Sequence, residues 1–68
     1  MKDKEKFVLL RKKKCYYTQK EFGDALGVTR QYVNHVENGI KKPSLKLVKS
    51  MAKLLHVSEI YLIKIFEL

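Results

Sequence analysis

The interval Gly27-Val28-Thr29 constrains this 68-residue chain more than any other feature. Before it lies "TQKEFGDAL". Thr18 stands just ahead of that segment's helical pattern and Glu21 three residues later, a spacing at which hydroxyl and carboxylate satisfy each other's backbone N–H groups. After the interval lies "RQYVNHVEN", with Thr29 placed to cap it and Gly39 to end it. Two helices, one opening at Gln19 and stopping at Gly27, the other running from Arg30 to Asn38, are thus joined by three residues. Glycine adopts positive φ without penalty, so Gly27 suits the stop. A turn this short forces its helices to cross steeply, the helix-turn-helix geometry. Gly23, in mid-helix, costs about 1 kcal/mol relative to Ala, a cost that makes sense if the facing helix comes close. Phe22, Leu26, Val28, Val33 and Val36 supply the apolar seam.

The rest of the chain also reads as helix by spacing. A first helix is expected over about Asp3 to Lys13, with Asp3 as its N-cap and Phe7, Leu10 and Lys14 on one face. Ile40 stands where a Schellman motif takes an apolar contact, and "KKPS" is a turn. Ser44 caps a fourth helix, Leu45 to Leu55, whose inner face is Leu45, Val48, Met51, Ala52 and Leu55. Ser58 caps a fifth, about 59–68. The expectation is a single all-α domain, a compact globule of five helices with no sustained heptad.

Fifteen Lys+Arg against seven Asp+Glu leave a net charge of +8, which suits a polyanionic partner. A solvated helix face is usually built from Lys and Glu. The third helix instead carries uncharged hydrogen-bonding groups. On a wheel of about 100° per residue, Val33 and Val36 point inward while Gln31, Asn34, His35 and Asn38 gather opposite, with Arg30 and Tyr32 flanking. Gln and Asn pair with adenine and Arg with guanine, whereas Lys grips any phosphate. Arg30, Gln31, Asn34 and His35 are therefore the expected base-reading set. Gln19, Thr29, Tyr32, Asn38, Lys41 and Lys42 are expected to surround them with phosphate contacts, Gln19 beside the free N–H groups of its helix.

The stretch "TQKEFGDALGVTRQYVNHVENGIKKPSLKLVKSMAKLLHVS" resembles the Cro/repressor-like, or Xre-like, family of helix-turn-helix DNA-binding domains. The resemblance rests on Gln19, Gly27, Val33, Val36, "ENG" at Glu37 to Gly39, and "PSL" opening the fourth helix. It implies a lambda-repressor-like fold, with helices two and three forming the motif over about 19–38, and base reading by Arg30, Gln31, Asn34 and His35. It implies phosphate contacts from Gln19, Asn38 and Lys41, and binding as a homodimer to an inverted-repeat operator. It also implies an ion pair from Glu37 to a basic residue of helix one. Arg11 is the candidate, with Lys12 the alternative, because the loop "KKKCYYTQ" is one residue longer than the family's usual form. Gly23 stands where the family usually has Ala.

Other features read more plainly. Arg11 to Lys14 is a basic helix end that favours the helix dipole. Tyr16 and Tyr17 are loop-packing residues. Cys15 has no partner for a disulfide or a Cys-rich zinc site, and neither His35 nor His56 has a second ligand at metal spacing, so no metal or other cofactor is expected. No nucleophile motif, phosphate loop or paired carboxylate suggests an enzyme or a small-molecule site. No segment is long enough for a membrane span or resembles a signal peptide, and the expected setting is cytoplasmic. "EIYLIKIFEL" is apolar on nearly every side. Leu62 and Phe66 are expected to close the core, leaving Ile60, Tyr61 and Ile63 as a dimer interface. The functional expectation is a transcriptional regulator, a repressor, of double-stranded DNA. The rival from another class is an antitoxin or protein-interaction module on the same fold.

Overall fold

A computed structural model describes residues 4–68. Among the described residues the chain forms α1 (Lys4–Lys13), α2 (Gln19–Leu26), α3 (Arg30–Glu37), α4 (Leu45–Leu55) and α5 (Glu59–Phe66), with no strand. The Asp3 cap expected for α1 lies outside the described residues. The other four caps form as read. Thr18 Oγ1 accepts from Glu21 N at 3.1 Å while Glu21 Oε1 accepts from Thr18 N at 3.0 Å, completing the capping box. Thr29, Ser44 and Ser58 accept from the N–H groups of Tyr32, Leu47 and Tyr61 at 3.0, 3.2 and 3.1 Å. Each such bond satisfies a donor the helix leaves free, a contribution of about 1 kcal/mol.

The five helices also end alike. After each, one residue takes the left-handed conformation, and the next N–H reaches back to a carbonyl in the final turn. The bonds are Tyr16 N to Arg11 O, Val28 N to Gly23 O, Ile40 N to His35 O, Val57 N to Ala52 O and Leu68 N to Ile63 O, at 2.8–3.2 Å. This is the Schellman pattern. Gly27 and Gly39 take the turn at φ 79° and 75°, but Cys15, His56 and Glu67 take it at 71°, 55° and 59° without being glycine. α3 therefore ends at Glu37, with Asn38 as its cap, one residue short of the expected Asn38. α5 ends at Phe66 rather than continuing to 68. Ile40 remains 66% exposed, so most of the side chain expected to make this turn's apolar contact stays in water.

The core joins all five helices. Phe7 of α1 is fully buried and meets Phe22 of α2 edge-on at 5.8 Å and Phe66 of α5 at 5.1 Å between ring centroids. Tyr16 packs edge-on against Phe22 at 5.5 Å, whereas Tyr17 is exposed. Val33, Val36, Val48, Met51, Ala52, Leu55, Leu62 and Ile65 complete the buried set, with Leu26 and Val28 packed partly against it. Leu45 is the exception on α4. It is the first residue of the helix and lies 64% exposed, because Ser44 caps the helix outside the core. On α1 the second buried position is Arg11 rather than Lys14, which is only half-buried.

Arg11 is the side chain whose surroundings differ most from a basic helix end. Its Nε donates to Glu37 Oε2 at 2.8 Å and its Nη1 to the carbonyl of Tyr16 at 2.8 Å. The paired side chains are 4% and 2% exposed. The longer loop does not hand the pair to Lys12, which is exposed. Gly23 is also used differently from the expectation. A Cβ there would meet Val28 O at 2.9 Å and Thr29 O at 3.3 Å, so the close approach is to the backbone of the turn and not to α3.

A buried charge left without its partner is strongly destabilising. Arg11→Met is expected to lose about 3–5 kcal/mol in urea unfolding, and the double variant Arg11→Met/Glu37→Met to lose less than Arg11→Met alone. Cys15→Gly is expected to gain about 1 kcal/mol in the same measurement, since a left-handed backbone costs an L side chain roughly 1–2 kcal/mol that glycine does not bear.

Candidate nucleic-acid interface

Two helix starts contribute to one depression. α2 begins at Gln19 behind its capping box, and α3 begins at Arg30 behind the Thr29 cap. α2 packs more extensively on α3 than any other pair of helices does, and Phe22, Val33 and Val36 are all buried in the common core. With that face of α3 spent on the core, the opposite face is the one left outward. Gln19, Arg30, Gln31 and Asn34 line one open depression there. Four of the residues expected at the interface are thus brought together, one from α2 and three from α3.

The four differ in freedom. Arg30 and Gln31 are exposed, and both belong to the first turn of α3. Asn34 is half-buried, and its Nδ2 donates to Gln19 Oε1 at 3.4 Å. Gln19 is also half-buried and donates from Nε2 to Glu37 Oε1 at 3.0 Å. The expected phosphate residue Gln19 is therefore the link between the buried Arg11–Glu37 pair and the outer face of α3.

The remaining expected residues fall around this centre. His35 is half-buried outside the depression, and its carbonyl accepts from both Ile40 N and Lys41 N, at 2.8 and 3.2 Å, which ties down the turn after α3. Thr29 is exposed, but its hydroxyl oxygen is occupied as the cap of α3. Tyr32 is half-buried, packed against the core, with Lys41 Nζ 5.9 Å from its ring centroid. That is within cation–π range, and it holds an otherwise free ammonium beside α3. Lys42 points elsewhere and donates to the carbonyl of Glu67 at 3.0 Å, beyond α5. Asn38 is exposed and turns its Nδ2 back to the carbonyl of Asn34 at 2.9 Å.

Sequence reasoning missed Lys4. Its Nζ donates to Asn38 Oδ1 at 2.6 Å, bringing the start of α1 to the end of α3 across 34 positions. No local pattern signals a contact at that separation. Arg11, in contrast, leaves the surface, so the basic run that faces solvent is reduced to Lys12 and Lys13 with Lys14 half-buried.

No group of three or more His, Cys, Asp and Glu among the described residues is placed to hold a metal ion. No described helix is long and apolar enough to cross a membrane. The outward face of α3 carries amides and a guanidinium, with the Lys41 ammonium at its margin. No curated protein and no solved structure matches the chain. A helix-turn-helix family model matches residues 9–62, from within α1 into α5, and so includes both halves of the motif and the depression between them. The chain belongs to the Cro/repressor-type, Xre-like family of helix-turn-helix proteins, a DNA-binding family with the all-α lambda-repressor-like fold.

Proposed function

We propose that the chain is a transcriptional repressor that binds a palindromic operator in double-stranded DNA as a homodimer, with α3 lying in the major groove. The observation that carries this reading is the depression shared by Gln19, Arg30, Gln31 and Asn34. It puts amide and guanidinium groups on the outward face of a helix whose inward face is anchored by Val33 and Val36. In this reading Arg30 and Gln31, the exposed pair in the first turn, meet base edges, and Asn34 and His35 follow along the groove. Lys41, held beside Tyr32, meets the phosphate backbone, with Gln19, Thr29 and Asn38 around it, while Lys42 is held at Glu67 and takes no part. The net charge of +8 supplies long-range attraction to the duplex.

The dimer is supported by α5. Leu62, Ile65 and Phe66 are used by the core, yet Ile60 stays 66% and Tyr61 44% exposed, with Ile63 partly buried. Two copies meeting through this face would cover apolar surface that one copy leaves in water, and a two-fold pairing gives two reading helices for two half-sites. Cytoplasmic residence fits this reading.

The primary test is selection of a binding site from random duplexes, followed by gel shift at moderate salt. A palindromic consensus is expected, and binding without sequence preference would sink the proposal. With the selected site in hand, Gln31→Ala is expected to cost about 1–3 kcal/mol and to relax preference at one base position. Lys41→Ala should weaken all sequences alike and lower the salt slope by about 1, as read from affinity against log salt. Ile60→Asp should shift the protein to monomer in sedimentation and weaken binding to the full palindrome far more than to a half-site.

A further inference from the structure

Glu37 has no route to DNA: it is 1% exposed and sits behind Gln19. Its chemistry nevertheless extends to the outer face of α3. A carboxylate accepts and never donates. Oxygen Oε2 of Glu37 is taken by Arg11 and Oε1 by Gln19. Gln19 therefore has to turn its NH2 end inward, which leaves Oε1 facing Asn34. An amide oxygen can only be met by a donor, so Asn34 turns Nδ2 toward it. With Nδ2 turned to Gln19, the Asn34 amide has Oδ1 and the second hydrogen on Nδ2 left for another partner.

We infer that Glu37 is a positioning residue for base recognition: through Gln19 it fixes which end of the Asn34 amide faces the base pair. The inference rests on the reading of α3 as the base-reading helix. An outward Oδ1 selects a base that offers a donor in the major groove, and the remaining N–H beside it matches an adjacent acceptor. Adenine presents that pair at N6 and N7. Asn34 is therefore an adenine reader, and its orientation is set by a carboxylate buried behind it.

The relay predicts a change of preference and not only a loss of affinity. In Glu37→Gln the new side chain keeps an oxygen for Arg11 and turns an NH2 group to Gln19. Gln19 then reverses, offers its own NH2 to Asn34, and Asn34 reverses in turn, presenting its two N–H groups to the groove. Those match guanine or thymine acceptors.

The test is site selection and competition binding with the full chain, comparing wild type, Glu37→Gln, Gln19→Ala and Asn34→Ala. One base position should depend on Asn34. At that position wild type is expected to prefer adenine, and Glu37→Gln to lose that preference by about tenfold in favour of guanine or thymine, in the range a bidentate contact supplies. Gln19→Ala, which leaves the buried ion pair in place, is expected to relax the same position without installing a new preference. The double variant Glu37→Gln/Asn34→Ala should match Asn34→Ala in its base profile. A Glu37→Gln protein that binds more weakly but retains adenine overturns the relay, as does an unchanged profile in Gln19→Ala. If Glu37→Gln does not fold, Gln19→Ala alone decides. Selective wild-type binding with unmoved variants removes only the relay, whereas non-selective wild-type binding removes both the relay and the reading beneath it.

Discussion

The pairing of Arg11 with Glu37 governs how the rest of this small domain is arranged. Two opposite charges are withdrawn from water and joined at 2.8 Å between α1 and the last residue of α3. Such a pair adds little net stability over apolar residues of similar size, because desolvation offsets most of the attraction. Its value here is geometric. Every polar atom of the carboxylate is assigned, and Arg11 also holds the Tyr16 carbonyl at the end of α1. Among the described residues no fully buried side-chain nitrogen or oxygen lacks a partner. The pair thus sets the position of α1 relative to the motif, while Phe7, meeting Phe22 and Phe66, supplies the apolar contact that makes the same junction favourable.

Helices of eight to eleven residues are too short to persist alone in water. The chain handles this at both ends of each segment. Side-chain caps close the starts of four helices, and a left-handed residue with a returning N–H closes all five ends. Bounded helices of this kind leave few unpaired backbone groups, so the core of Phe, Val, Leu, Ile and Met need not offset a large desolvation cost. By contrast, the exposed Lys20–Asp24 pair, at 2.9 Å on the surface of α2, adds little.

What the sequence revealed follows how local each determinant is. Thr18, Thr29, Ser44 and Ser58 were legible because a cap depends on one side chain and the two or three residues after it. Gly27 and Gly39 were legible because glycine favours positive φ; Cys15, His56 and Glu67 take the same conformation and carry no such mark. Arg11 reads as one of four consecutive basic residues, and only the family resemblance pointed to its pairing with Glu37. Leu45 matched the helical apolar spacing but stands at the first turn, where the helix has not yet entered the core. At the interface, Arg30, Gln31 and Asn34 could be grouped from a wheel alone. The bonds Gln19 makes to Glu37 and Asn34, and Lys4 to Asn38, required the tertiary arrangement, since they join positions 15 to 34 apart.

Gly23 leads to one more conclusion. Its missing methyl allows the carbonyl of Val28 to settle where a Cβ would lie 2.9 Å away. Val28 and Thr29 are the hinge from which α3 departs, and Thr29 is also the cap that anchors its first turn. A single carbon added at position 23 would therefore act as a shim beneath the first turn of α3. Adding it would leave the side chains of α3 unaltered while forcing the backbone at Val28 and Thr29 to shift, so position 23 bears on how α3 leaves the turn independently of what α3 carries.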